Sequence, residues 1–257
     1  MFPLKDNIPT TTFPVVTITL ILANVLSYFL WQKGGILHGP SNANVIDYGW
    51  IPWEVKHLGQ QCMAVQGGAA IACGKDVHGQ APVWVTAFTS MFMHGSVIHL
   101  AGNMLFLWIF GNNVEDAMGR AKFIVFYLLG GLAALAGQTL IAGGTGDVVP
   151  LVGASGAIAA VLGGYILLYP RARVLTVIFV IFFFTLVELP AMAVLGIWFL
   201  EQIAFGAAGL TDPAGDSGGV AYFAHIGGFA FGLLAIRAFA HRQNPAYNNG
   251  RPRGAVV

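Results

Sequence analysis

The chain has 257 residues, of which 56% are hydrophobic and only 9% charged, with a formal net charge of +1. Soluble domains are about a quarter charged, so an apolar surplus with a mean hydropathy of +0.72 cannot be hidden in one aqueous core, and lipid is the expected solvent. The near-neutral balance excludes a nucleic-acid footprint, and the basic residues matter through their placement.

A membrane-crossing helix needs about 20 apolar residues. The first candidate is 13–31, with Trp31 and Lys33 as interfacial anchors. It has no clear small-residue cleavage site and reads as a retained helix rather than a cleaved signal. A polar segment of about fifty residues follows, rich in Gly, Pro, Trp and His, and a connection of that length is usually functional. It holds both cysteines, Cys62 and Cys73. They are two free thiols, or a disulfide if the segment faces an oxidising compartment.

The second and third candidates are 96–111 and 123–142, separated by the charged turn "GNNVEDAMGRAK". A Gly-rich linker leads to the fourth, 155–169, which stops at Pro170-Arg171-Ala172-Arg173. Residues 174–206 are almost unbroken apolarity, interrupted at Glu188 and Pro190. As one helix they would run about 50 Å, too long for a hydrocarbon core of about 30 Å. The reading is an interfacial or re-entrant piece over 174–187 and one span over 190–205. The sixth span is 220–240, and 241–257 is a polar tail expected to be disordered.

The expected architecture is therefore an all-α polytopic membrane protein, a six-helix bundle over 1–240 with a long first outer loop. Charge placement agrees. With both termini inside, Lys5, Arg120, Lys122, Arg171, Arg173, Arg237, Arg242, Arg251 and Arg253 lie inside, against Lys33, Lys56 and Lys75 outside.

Polar residues within spans are costly and are functional candidates by default. His99 and Asn103, four apart, share one helix face. Ser155 begins the fourth span and His225 lies in the sixth. With six spans these two helices run the same way, so Ser155 and His225 both fall toward the outer side. Small residues at Gly156, Ala160 and Gly164, and at Gly227, Gly228 and Gly232, suit close helix approach. A serine hydroxyl becomes a nucleophile when a base takes its proton, and His225 is the candidate for that base. Asn103, His99 and the Ser155 backbone N–H are candidate oxyanion donors. With no carboxylate near His225 in its segment, the pattern is a dyad rather than a triad. Taken singly, each residue reads as packing or as a satisfied interhelical bond; only the joint pattern is specific. His94 and His99 lack an HExxH context and acidic partners, so no metal and no cofactor are expected.

The strings "HGSVIHLAGNMLFLWIFGNNVEDAMGR", "GASGA" and "AHIGGFAFG", in this order, resemble the rhomboid family of intramembrane serine proteases, prokaryotic six-span type. The resemblance implies Ser155 as nucleophile, His225 as general base, and His99 and Asn103 in the oxyanion hole. It implies transmembrane protein substrates within the bilayer, in a prokaryotic plasma membrane. Glu115 and Gly119-Arg120 match a structural turn of the family, and "VELPAMAVLGIWFLEQ" resembles its fifth helix. Two departures stand out. The first loop, "YGWIPWEV", has Trp50 and Trp53 but lacks the Trp-Arg pair of some bacterial members. Where those members place a Tyr stacking on the histidine, four residues after the nucleophile, this chain has Ala159; Tyr222, near His225 on its own helix, is the candidate in its place. The segment before Ser155 and residues 207–219 are expected to cap the cavity. The competing reading is a non-catalytic transporter or membrane-protein binder using the same histidines; the sequence lacks the internal repeat that many transporters show.

Overall fold

The computed structural model describes residues 2–141, 148–180, 183–211, 220–241 and 247. The Gly-rich stretch 142–147, most of the expected cap at 212–219, and all of the tail beyond 241 except Tyr247 lie outside the described residues.

The chain is mostly helical. Strand β1 (Phe2–Asp6) precedes α1 (Val15–Leu26), which runs on as a π turn over Ser27–Trp31. The long segment then forms α2 (Asn42–Tyr48), α3 (Pro52–Lys56), the hairpin β2 (Gln61–Val65) and β3 (Ala70–Gly74), and α4 (Val83–Thr89). Helix α5 (Val97–Phe106) continues through a π turn, Leu107–Gly111, into α6 (Asn112–Met118). Helices α7 (Arg120–Ile141) and α8 (Ser155–Leu168) follow, then strands β4 (Arg173–Val180) and β5 (Phe183–Pro190), and finally α9 (Ala191–Thr211) and α10 (Tyr222–Phe239).

Four helical stretches are long and apolar enough to cross a membrane: Val97–Met118, Arg120–Ile141, Ala191–Leu210 and Tyr222–Phe239. Two other expected spans are shorter apolar helices, Val15–Trp31 and Ser155–Leu168. Helix α8 is apolar on every side, which is the pattern of a buried helix. It is enclosed by α7 and α10, with α5, the π turn and α9 also touching it, and Ala159, Ala160, Val161 and Tyr165 are fully buried.

The all-α expectation needs correction, because two small sheets are present. The first correction concerns the conformation of 174–187, read from its apolarity as an interfacial or re-entrant piece. Its described residues lie in the antiparallel pair β4–β5, with Leu175 opposite Glu188 and Val177 opposite Leu186. Strand β1 adds to the other edge of β4, pairing Asp6 with Val174. The composition explains this: Val, Ile, Phe and Thr dominate, and β-branched and aromatic side chains suit a pleated strand. Arg173 and Glu188 form an ion pair across the hairpin at 3.3 Å.

The second correction concerns the long first segment, which is not a bare loop. It carries a β2–β3 hairpin with Cys62 directly opposite Cys73, and the two are joined as a disulfide. Inside this subdomain the buried Glu54 carboxylate accepts the Cys62 N–H at 2.7 Å. Burial pushes the Glu54 carboxyl up to about 7.

The charged stretch read from the sequence as a turn is helical through Met118, and the carboxylates of α6 act structurally. The Glu115 carboxylate accepts the backbone N–H groups of Val16 and Thr17 and the Thr17 hydroxyl. It thereby satisfies donors left unpaired at the start of α1. Asp116 accepts from the hydroxyls and N–H groups of Thr11 and Thr12. Gly119 ends α6 with φ of +80°, a backbone conformation that glycine adopts without a Cβ penalty.

Candidate active site

The stretch Leu151–Ala157 is held by the first segment of the chain. Trp50 and Leu151 exchange backbone hydrogen bonds, with Leu151 N–H to Trp50 at 2.7 Å and Trp50 N–H to Leu151 at 3.1 Å. The Trp50 indole N–H donates to Thr139 on α7 at 3.0 Å. Two residues later, the Gly153 N–H donates to the Ser90 carbonyl at 2.9 Å. Gly153 has φ of +135°, and a Cβ there would lie 2.9 Å from the His99 ring. Both facts call for glycine at this position.

Ser155 is the first residue of α8. The first main-chain bond of the helix runs from Ile158 N–H to Ala154 O. The N–H groups of Ser155, Gly156 and Ala157 therefore have no intrahelical acceptor. From this end the Ser155 hydroxyl reaches His225 on α10, with Oγ to Nε2 at 2.8 Å. Contact at that distance requires the backbones of α8 and α10 to approach closely. A Cβ on Gly228 would fall on the Gly156 carbonyl, and one on Gly232 on the Ala160 carbonyl. Gly227 faces the other way, toward Gly137 and Ala133 on α7. The start of α10 is fixed from α7 as well, where Gln138 Oε1 accepts the Ala224 N–H at 3.2 Å.

Ser155, His225, His99 and Asn103 line one cavity of about 570 Å³. All four residues expected from the sequence are thus brought together. The Asn103 amide nitrogen is buried and has no hydrogen-bond partner among the described residues. Helix α5 begins at the Ser96 side chain, which accepts the His99 N–H at 3.1 Å, a cap that fixes the first turn. The His94 and His99 rings meet edge to face, 5.1 Å apart. Among the described residues no group of three or more His, Cys, Asp or Glu side chains is placed to hold a metal ion.

The sequence reading missed two neighbours of His225. Gln202 Oε1 lies 2.7 Å from His225 Nδ1, and the Trp198 ring lies over the imidazole, centroids 5.7 Å apart. Both are on α9, four residues apart and so on one face. The available signal was a glutamine one turn after a tryptophan in an apolar helix; the neighbouring Glu201 is exposed. Tyr222, expected beside the histidine, stacks on Phe205 at 5.7 Å. The aromatic contact to the imidazole therefore comes from Trp198 on α9.

A family model for the Rhomboid domain matches residues 81–242. The chain is 32% identical over 156 residues to presenilin-associated rhomboid-like protein A, mitochondrial, of Danio rerio, covering 57% of this chain and 35% of that protein. It is 32% identical over 161 residues to Rhomboid protein 1, mitochondrial, of Saccharomyces cerevisiae, covering 58% and 40%. RHOMBOID-like protein 1 of Arabidopsis thaliana is 29% identical over 199 residues, covering 77% and 45%. The alignments span less than half the length of each of these relatives. The match takes in α5, the Ser155 turn and the His225 helix, and the chain is an integral membrane protein that belongs to the rhomboid family.

Proposed function

We propose that the protein is an intramembrane serine endopeptidase that cleaves peptide bonds in or near the transmembrane segments of other membrane proteins. The observation that carries this reading is the 2.8 Å contact between Ser155 Oγ and His225 Nε2, made across 70 residues of sequence inside a cavity. That is the hydrogen bond an activated serine needs with its base.

In this mechanism His225 Nε2 takes the hydroxyl proton as Ser155 Oγ bonds to the scissile carbonyl carbon. The carbonyl oxygen becomes an oxyanion. Its donors are the Asn103 amide, the His99 ring N–H and the Ser155 backbone N–H. An amide donor buried with no partner is suited to this role, because its desolvation is already complete before the charge develops. Collapse breaks the C–N bond, and His225 returns its proton to the leaving amine. Water then adds to the acyl-serine carbonyl, again losing a proton to His225, and the serine is regenerated.

Our reading of the membrane placement is a six-span domain over 1–240 with both termini on the inner side. The nine-to-three placement of basic residues supports it. Helix α8 is short. Its 14 residues span about 21 Å, well short of the core of about 30 Å. Such a helix leaves room above Ser155 for water to enter from the outer side. The charge asymmetry fits any membrane that follows the positive-inside rule, a prokaryotic plasma membrane among them; the word mitochondrial in the relatives' names describes those proteins.

The test is fluorophosphonate labelling of purified protein together with cleavage of a transmembrane reporter in proteoliposomes. Wild type labels and cleaves, while Ser155→Ala and His225→Ala do neither. Labelling and cleavage at wild-type rates by Ser155→Ala would overturn the assignment.

A further inference from the structure

We infer that Gln202 is a positioning residue that completes the Ser155–His225 pair as a third member, fixing both the tautomer and the plane of the imidazole. The inference rests on the proposed roles of Ser155 and His225 and adds what holds the base in place.

An amide side chain offers one acceptor and two donors on opposite branches, so its orientation decides what it can do for a histidine. Here the orientation is set by α9 itself. Gln202 Nε2 donates to the Trp198 carbonyl one turn earlier, at 3.3 Å. That turns Oε1 toward His225, where it sits 2.7 Å from Nδ1. An amide oxygen can only accept, so Nδ1 carries the hydrogen. In a neutral imidazole the other nitrogen is then bare, and it is Nε2 that faces the Ser155 hydroxyl at 2.8 Å. Ser155 donates to His225, and His225 donates to Gln202, in one direction along the chain of groups. The reverse tautomer would put an N–H against the serine proton and leave Nδ1 with no donor from Gln202 Oε1.

The surroundings restrict the arrangement further. Gln202 is buried, with 7% of its surface exposed, so water competes little for its oxygen. Trp198 covers the ring from the same helix face and itself contacts Phe229, one turn beyond His225 on α10. Rotation about the His225 side chain therefore meets an aromatic wall and breaks two hydrogen bonds. Orientation of a base by a third group recurs in serine hydrolases. A neutral amide performs the orienting part of that role without placing a carboxylate at membrane depth, where a charge is expensive.

The test compares Gln202→Leu with Gln202→Glu in the full chain. Leucine matches the size and removes the acceptor. A glutamic acid, protonated in this setting, repeats the pattern with its hydroxyl to the Trp198 carbonyl and its carbonyl oxygen to Nδ1–H. We expect Gln202→Leu to lower kcat by 10- to 100-fold with KM unchanged, and Gln202→Glu to retain kcat within about threefold. Independently of turnover, 15N NMR of the His225 ring should show one Nδ1–H tautomer in wild type and in Gln202→Glu, and a mixture in Gln202→Leu. Wild-type kcat in Gln202→Leu, or a wild-type ring spectrum in that variant, would overturn the inference. Because Ser155→Ala is assayed alongside, an inert Ser155→Ala with a fully active Gln202→Leu removes only the role of Gln202, whereas an active Ser155→Ala removes the dyad itself.

Discussion

Gly228 lies directly on the Gly156 carbonyl: a Cβ built at Gly228 would overlap that oxygen and come within 3.3 Å of the Ala159 methyl. Gly156 follows the candidate nucleophile, and Gly228 lies three residues after the candidate base. The interhelical distance that these glycines permit is therefore the distance that lets Oγ meet Nε2. Any side chain at Gly228 must push α10 away from α8. A shift of about 1 Å would take a 2.8 Å contact beyond hydrogen-bond range. Gly228→Ala is expected to reduce reporter cleavage by at least tenfold, and Gly228→Val to abolish it, with overpacking lowering stability by about 1–3 kcal/mol. Leu234→Val, at a position 84% exposed on the same helix, should leave turnover unchanged. Equal turnover in Gly228→Val and wild type would refute the packing argument.

The four candidate residues could be picked out because each is a polar group where lipid makes polarity expensive. The small-residue faces of α8 and α10 were legible for the same reason, since lipid gives no other cause for helices to touch so closely. What escaped were features whose signal is carried by partners rather than by position. Gln202 is one polar residue on a helix that also carries Glu201, and only its bond to the Trp198 carbonyl reveals which way its oxygen points. The hairpin over 173–190 escaped because apolarity alone does not separate strand from helix; its Val, Ile and Phe content did carry the answer. The β2–β3 hairpin escaped because its ladder is short and is held by the Cys62–Cys73 bond, whose existence depends on compartment.

Removal of the Glu115 carboxylate should act on stability and leave the chemistry alone. It accepts two buried backbone N–H groups at the start of α1, and no other acceptor for those two is present among the described residues. Orphaning buried donors costs about 1–3 kcal/mol each. Glu115→Ala is expected to unfold in detergent at a clearly lower temperature, while the fluorophosphonate labelling rate per folded molecule stays at the wild-type value. A fall in that rate at full folding would assign Glu115 a part in the chemistry.

The Cys62–Cys73 bond closes a loop of separation 11, which in the chain-entropy account restricts the unfolded state by about 3 kcal/mol. The effect should be local, because these residues pack with Ile46 and Ile51 in a cluster separate from the helical core. The Cys62→Ser, Cys73→Ser double variant is expected to be nicked by added protease within 57–80 much faster than wild type. The helical core should unfold at an unchanged temperature. If reduction or the double substitution lowers the unfolding temperature of the helices equally, the first segment and the bundle form one cooperative unit instead.

Asp6 supplies a pH dependence at the other end of α8. Its Oδ2 accepts from the Tyr165 hydroxyl at 2.6 Å and the Asn113 amide at 2.7 Å. Burial pushes its carboxyl from 3.8 up to about 7, against the opposing pull of the Tyr165 hydrogen bond and of Lys5. A carboxyl with a raised folded-state value holds its proton more tightly when folded. Its contribution to stability is therefore fully present below about pH 4 and is lost as pH rises through about 7, at about 1.4 kcal/mol per pH unit inside that window. Asn at this position keeps an acceptor for both donors and does not titrate. Asp6→Asn and wild type should thus unfold alike at pH 4, diverge in favour of Asp6→Asn up to pH 7, and run parallel above it. The total separation should be on the order of a few kcal/mol. Thermal unfolding of both proteins in detergent from pH 4 to pH 8 measures this, and parallel curves across the whole range would show that Asp6 is already ionised in the folded protein at pH 4.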